Sequence, residues 1–159
     1  MENNKKFCLN LGAEFLVQFF NAQVIEAIEY SDYVFGNEAE ALKLSETCNF
    51  NTTVMSEIAV HISKMPFKKA SGDRIVVITQ GSDPIIVVQK GCVTQFNVSK
   101  LDPELVIDTT GAGDAFVGGF LAQLLNGKNI EECIRCGIWA SQIIIQRPGC
   151  TFPDECLYS

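Results

Sequence analysis

At 159 residues and 47% hydrophobic content, the chain is long enough for one domain with a substantial core. Its formal charge of −7, from 12 basic against 19 acidic residues, and the lack of a basic stripe interleaved with aromatics argue against nucleic-acid binding. No stretch reaches the length of a membrane span, and the polar start Met1–Lys6 leads into no signal-peptide core, so the cytoplasm, with the nucleus second, is the expected compartment.

Phe7 to Leu11 reads as a short buried strand ending at Gly12. Glu14 to Tyr30 has helical spacing, with Phe15, Phe19, Ala22, Ile25 and Ile28 marking one face. Asp32 to Asn37 predicts a second strand, running into a helix that takes Asn37 as its N-cap. Thr53 is the expected cap of a further helix through Met65, stopped at Pro66. A polar basic loop, Lys68 to Arg74, precedes the clearest central strand, Arg74 to Gly81. Ile85–Val88 and Val93–Val98 predict a hairpin turning near Lys90-Gly91. Leu105-Val106-Ile107 reads as the end of a buried strand. The helix after it reaches about Leu125, with Phe116, Phe120 and Leu124 on one face. Asn126-Gly127-Lys128 turns the chain into a final helix from Ile130 to about Ile145, before Pro148-Gly149. Strands alternating with helices predict one α/β domain over 1–159 with a mainly parallel sheet.

Seven cysteines without a secretory signal do not suggest disulfides. Cys133 and Cys136 form a lone C-x-x-C in a helical pattern and read as core thiols, since a structural zinc site wants four ligands. Cys150 and Cys156 would be reactive if exposed. The sequons at Asn51 and Asn97 carry little weight in a cytoplasmic chain. His61 reads as a structural or surface residue, Trp139 as core, and Lys68-Lys69 as a solvated loop.

Asp108-Thr109-Thr110-Gly111-Ala112-Gly113-Asp114 joins the predicted strand to the helix after it. Its glycines allow a sharp turn, and a helix starting there presents unpaired N–H groups and the positive end of its dipole. That is a site for a phosphate or an oxyanion. A carboxylate at 114 repels an anionic ligand but suits a group that acts on the nucleophile attacking phosphorus. On spacing alone, an ordinary strand-to-helix turn with an acidic first-turn residue explains the string equally well.

Extended through Ala115-Phe116, the string resembles the C-terminal signature of the ribokinase-like, phosphofructokinase-B type carbohydrate kinases. The resemblance implies a ribokinase-like α/β fold and transfer of the ATP γ-phosphoryl group to a primary hydroxyl. It assigns Asp114 as general base and the amides of Gly111, Ala112 and Gly113 as the anion hole. Asn37-Glu38-Ala39-Glu40 is similar to the family's Asn-x-x-Glu motif, which organises Mg²⁺ through water. Taken alone, Asn37 and Glu40 fit a capping box at a helix start. Thr79 and Gly81 are implied nucleotide contacts at the end of a central strand. Asp108 either helps hold a monovalent cation or caps the turn.

Further motifs narrow the resemblance. Phe35-Gly36-Asn37-Glu38-Ala39-Glu40-Ala41, Gly118-Gly119-Phe120-Leu121 and Ile143 to Pro153, with its Gly149-Cys150-Thr151-Phe152-Pro153, resemble the branch of the family that phosphorylates adenosine. Adenosine and ATP are then the implied partners, Mg²⁺ the cofactor, and AMP formation in purine salvage the role. The match covers only the C-terminal half of the family fold. The small lid sheet and most acceptor contacts lie in the other half. An exposed apolar face and self-association through it are therefore expected. A kinase for another nucleoside or sugar, and a non-catalytic nucleotide-binding fragment, are the alternatives.

Overall fold

The computed structural model describes residues 5–68, 72–155 and 158. The chain divides into two compact units, 1–97 and 98–159. No described helix is long and apolar enough to cross a membrane.

In the first unit, β1 (Cys8–Asn10), β2 (Tyr33–Asn37), β3 (Ile75–Gln80), β4 (Asp83–Gln89) and β5 (Cys92–Phe96) form a sheet in that order. β1 and β2 pair in parallel, as do β2 and β3. β4 is antiparallel to both β3 and β5, so four of these five strands point the same way. The parallel strands are separated by helices: α1 (Glu14–Phe19) and α2 (Asn21–Tyr30) follow β1, and α3 (Glu38–Thr47) and α4 (Met55–Lys64) follow β2. Lys90 and Gly91, at φ 51° and 74°, make the tight turn between β4 and β5. Two successive left-handed residues match the twist of the flanking strands.

Side-chain alternation sets the layers. Val34, Val76, Ile78, Ile86 and Val88 lie on one face and are buried with Leu44, Ile58 and Ile62 of the helices. Phe35, Val77 and Val87 alternate to the opposite face and are buried as well. Continuous apolar strands of this kind are what a sheet covered on both faces requires.

Three expectations fail here. The helix expected over 14–30 breaks at Phe20 (φ −118°, ψ 33°), and its marker residues Phe15 and Phe19 are 56% and 72% exposed. Val17, on the other side of α1, is the buried residue. Thr53 does not cap α4: the helix starts one residue later, with Val54 as N-cap, whose N–H donates to Thr52 Oγ1 at 3.2 Å.

In the second unit, a single 3-10 turn (Pro103–Leu105) precedes α5 (Ala112–Leu125) and α6 (Ile130–Ile145). Leu105, Val106 and Ile107 form no strand and are exposed, Ile107 at 61%. Pro103 has no N–H for a ladder, and the N–H groups of Ile107 and Asp108 both donate to one carbonyl, Ile145 O, at 2.8 and 3.2 Å. α5 and α6 pack closely around Phe116, Phe120, Cys133 and Ile134. Asn129 and Glu132 close a capping box at the start of α6, a signal not picked out in the sequence.

Candidate active site

In the first unit the predicted residues gather at the C-terminal ends of β2 and β3, the end where open α/β sheets bind ligands. Asn37 and Thr79 are partners in the parallel register. Thr79 Oγ1 donates to Gly36 O at 3.4 Å, and the β3–β4 register shifts between Ile78 and Gln80, around Thr79. Gly81 turns the chain at φ 57° in an exposed position.

Asn37 and Glu40 form the capping box: Glu40 N–H donates to Asn37 Oδ1 at 2.9 Å, and Asn37 N–H donates to Glu40 Oε2 at 3.0 Å. A third bond, Asn37 Nδ2 to Glu40 Oε1 at 3.0 Å, ties the side chains directly. Glu40 is buried and Asn37 is exposed. The local motif is therefore a cap. A carboxylate offers about four lone-pair sites, of which the two Asn37 donors take two. Among the described residues no three His, Cys, Asp or Glu side chains gather into a metal cage.

In the second unit the signature string becomes the N-terminus of α5. Gly111 is the N-cap in the left-handed region, at φ 78° and ψ 1°, where a side chain is strained. Ala112 N–H donates to Thr109 O at 3.2 Å, and the first intrahelical bond is Ala115 N–H to Gly111 O at 2.9 Å. Gly113 and Asp114 fall in the first turn, where N–H groups have no acceptor within the helix. Asp114 is exposed in this first turn.

Asp108 caps the turn, one of its two expected alternatives. Its Oδ1 accepts from Thr110 N–H at 2.8 Å, and its Oδ2 accepts from Gly149 N–H at 3.1 Å. The Thr110 bonds, backbone first, hold its carboxyl below the ordinary 3.8, with Gly149 adding to them. The Gly149 contact was not foreseen, because it joins residues 41 apart. Cys150 was not foreseen as a neighbour of the loop either: a Cβ on Gly111 would lie 2.7 Å from its Sγ. Asp114, Gly118, Trp139, Ile143, Cys150 and Phe152 help line an apolar groove of about 360 Å³.

Cys133 and Cys136 are buried, as core thiols should be, and burial pushes the Cys133 thiol up to about 11. Cys150 is exposed, and Cys156 lies outside the described residues. His61 is a surface residue stacked on Phe50, with ring centroids 4.8 Å apart. Trp139 is half-buried, its ring tilted against Tyr158 at 5.2 Å. Lys68 is exposed and pairs with Glu29 at 2.5 Å; Lys69 lies outside the described residues.

A mainly parallel α/β sheet in one unit and, in the other, a glycine turn opening a helix are each features of α/β proteins that handle phosphates. The model of the pfkB family carbohydrate kinases matches residues 1–156, and the chain belongs to that family. Among curated relatives, adenosine kinase 1 of Arabidopsis thaliana is 46% identical over 153 residues, covering 96% of this chain and 44% of the relative. The Anopheles gambiae adenosine kinase, solved in complex with P1,P4-di(adenosine-5) tetraphosphate, superposes at a TM-score of 0.91 and 47% identity. That match covers 97% of this chain and 46% of the other. The Schistosoma mansoni adenosine kinase with 2-fluoroadenosine gives 0.90 and 37%, over 96% and 45%. The chain thus spans under half the length of these relatives. The ribokinase-like fold holds for the part present.

Proposed function

We propose that this chain is the ATP-binding and catalytic-base half of an adenosine kinase, an enzyme that moves the ATP γ-phosphoryl group to the 5′-hydroxyl of adenosine and releases AMP. The observation that carries this reading is the signature loop. It opens α5 on a left-handed glycine, with free first-turn amides and an exposed carboxylate at 114. The likeness to adenosine kinases at 46% and 47% identity supports adenosine over another nucleoside or a sugar.

Asp114 accepts the proton of the attacking hydroxyl as the O–P bond forms, and the leaving ADP oxygen takes the negative charge. A carboxylate exposed at this helix start is within reach of a bound hydroxyl, as a general base must be. The amides of Gly111 and Gly113 neutralise charge on the transferring group, with Ala112 contributing chiefly through the helix dipole. Thr79 and Gly81 contact the nucleotide. When bound, Mg²⁺ would neutralise charge on the ATP phosphates, and Asn37 and Glu40 would hold it through water, as suits an ion that keeps several of its waters. The setting is purine salvage in the cytoplasm, and in the nucleus as a second compartment.

A second reading, a nucleotide-binding fragment without turnover, is favoured by the coverage of under half of each relative. A lid that excludes water is needed for transfer rather than hydrolysis. Self-association through exposed apolar residues such as Phe15, Phe19 and Ile107 belongs to the same reading. Thermal shift tests both. Stabilisation by MgATP, lost without Mg²⁺, is expected in either case. A further rise with adenosine indicates a working acceptor site. No response to MgATP would contradict both readings.

A further inference from the structure

We propose that Asp108 is a positioning residue for the phosphate-binding loop, which it locks to the turn at Pro148–Thr151 after α6. This role rests on the reading of Gly111–Gly113 as an anion hole. The loop between residues 107 and 111 gets little support from its own secondary structure, since it is neither strand nor helix. Its support comes from the segment that leaves α6. Ile145 O accepts the N–H groups of Ile107 and Asp108, at 2.8 and 3.2 Å. Asp108 then returns the contact, bridging Thr110 N–H on the loop and Gly149 N–H on the turn. Cys150, next in the chain, seats its sulfur over Gly111, the residue whose left-handed backbone aims the following amides.

The turn is itself pinned. Thr151 N–H donates to Gly149 O at 3.0 Å, Arg147 Nε donates to Thr151 Oγ1 at 3.3 Å, and Arg147 Nη2 donates to Phe152 O at 3.4 Å. A carboxylate accepting backbone N–H groups makes charge-assisted bonds, roughly twice as strong as neutral ones. Asp108 therefore holds two segments 41 residues apart in one geometry. An anion hole works only when its donors already point at the developing charge. The residues after α6 are thus part of the phosphoryl site rather than a tail.

Two readouts on the 159-residue chain separate this role from the function beneath it. Amide hydrogen exchange reads the brace. In Asp108→Ala, the Thr110 and Gly149 amides should exchange at least about tenfold faster, while Phe120 in α5 is unchanged. Equal rates at Thr110 and Gly149 would overturn the proposal. Titration with tripolyphosphate, followed by the Gly111 and Gly113 amide shifts, reads the site. Asp108→Ala should bind at least about tenfold more weakly, and Asp114→Asn at least as tightly as wild type, because a like charge is removed. Partial rescue by Asp108→Asn, which keeps an acceptor oxygen, is expected. Wild-type binding that survives in Asp108→Ala would leave Asp108 merely structural and overturn the proposal. Wild type without any tripolyphosphate shift would contradict the anion-hole reading and the role built on it.

Discussion

Single residues decide much of this chain's behaviour, and Arg74, which the sequence places where the basic loop meets the central strand, is a case. It is buried, and its guanidinium donates to four carbonyls: Ile62 and Met65 through Nη1 at 2.8 and 3.0 Å, Ile28 and Pro66 through Nη2, both at 2.7 Å. These carbonyls belong to the C-terminal ends of α2 and α4 and the residues just beyond α4; those of Ile28 and Ile62 also accept the Ser31 and Met65 N–H groups. Arg74→Met should lower stability in urea by about 3–5 kcal/mol, with Arg74→Lys recovering only part, since an ammonium lacks the planar fork. A loss below about 1 kcal/mol would contradict that role. Asp108 makes a pH prediction. Its folded pKa is lowered below 3.8, so its contribution is fully present above that value and lost as pH falls through the folded pKa. The Tm gap between wild type and Asp108→Asn should therefore be widest near neutral pH and close in acid. A gap that stays constant to about pH 2 would show that the carboxylate bonds contribute nothing. Sequence reading succeeded at this scale where partners are local. Asn37 and Glu40 are three apart and their cap was legible; Gly149 is 41 residues from Asp108 and was not.

At the scale of elements, the two helices of the second unit owe their closeness to glycine. A Cβ on Gly119 would lie 2.7 Å from Cys136 O, and one on Gly137 would lie 2.8 Å from the Phe116 ring. Gly118, one position away, has nothing within 4 Å. Gly119→Ala should thus destabilise by about 1–3 kcal/mol through overpacking. Gly118→Ala should stabilise by up to about 1 kcal/mol through helix propensity. Paired denaturation curves check this, and equal shifts of the same sign would contradict close helix packing at Gly119. The glycine pair Gly118-Gly119 was visible in the sequence, but not which member faced the neighbouring helix. The same gap explains the errors over Phe15, Phe19 and Leu105–Ile107. An apolar period or run predicts a face or a strand, and whether a neighbour covers or pairs with it is set by tertiary structure. The central strands were legible because Val and Ile runs bounded by glycine turns have few other solutions.

For the whole molecule, the decisive facts are membership of the pfkB carbohydrate kinases and coverage of under half of its adenosine kinase relatives. Exposed Phe15, Phe19, Phe20 and Ile107 should make the chain self-associate as concentration rises. Sedimentation that stays monomeric from about 1 μM to 1 mM would contradict this expectation. The central claim is that this chain carries the catalytic base of an adenosine kinase. The most direct measurement replaces the corresponding part of Arabidopsis thaliana adenosine kinase 1 with this chain and follows AMP formation from MgATP and adenosine. The account predicts turnover that falls by about 10²–10⁴-fold on Asp114→Asn while the fold is retained. A folded chimera without turnover, or turnover that survives Asp114→Asn, would contradict it.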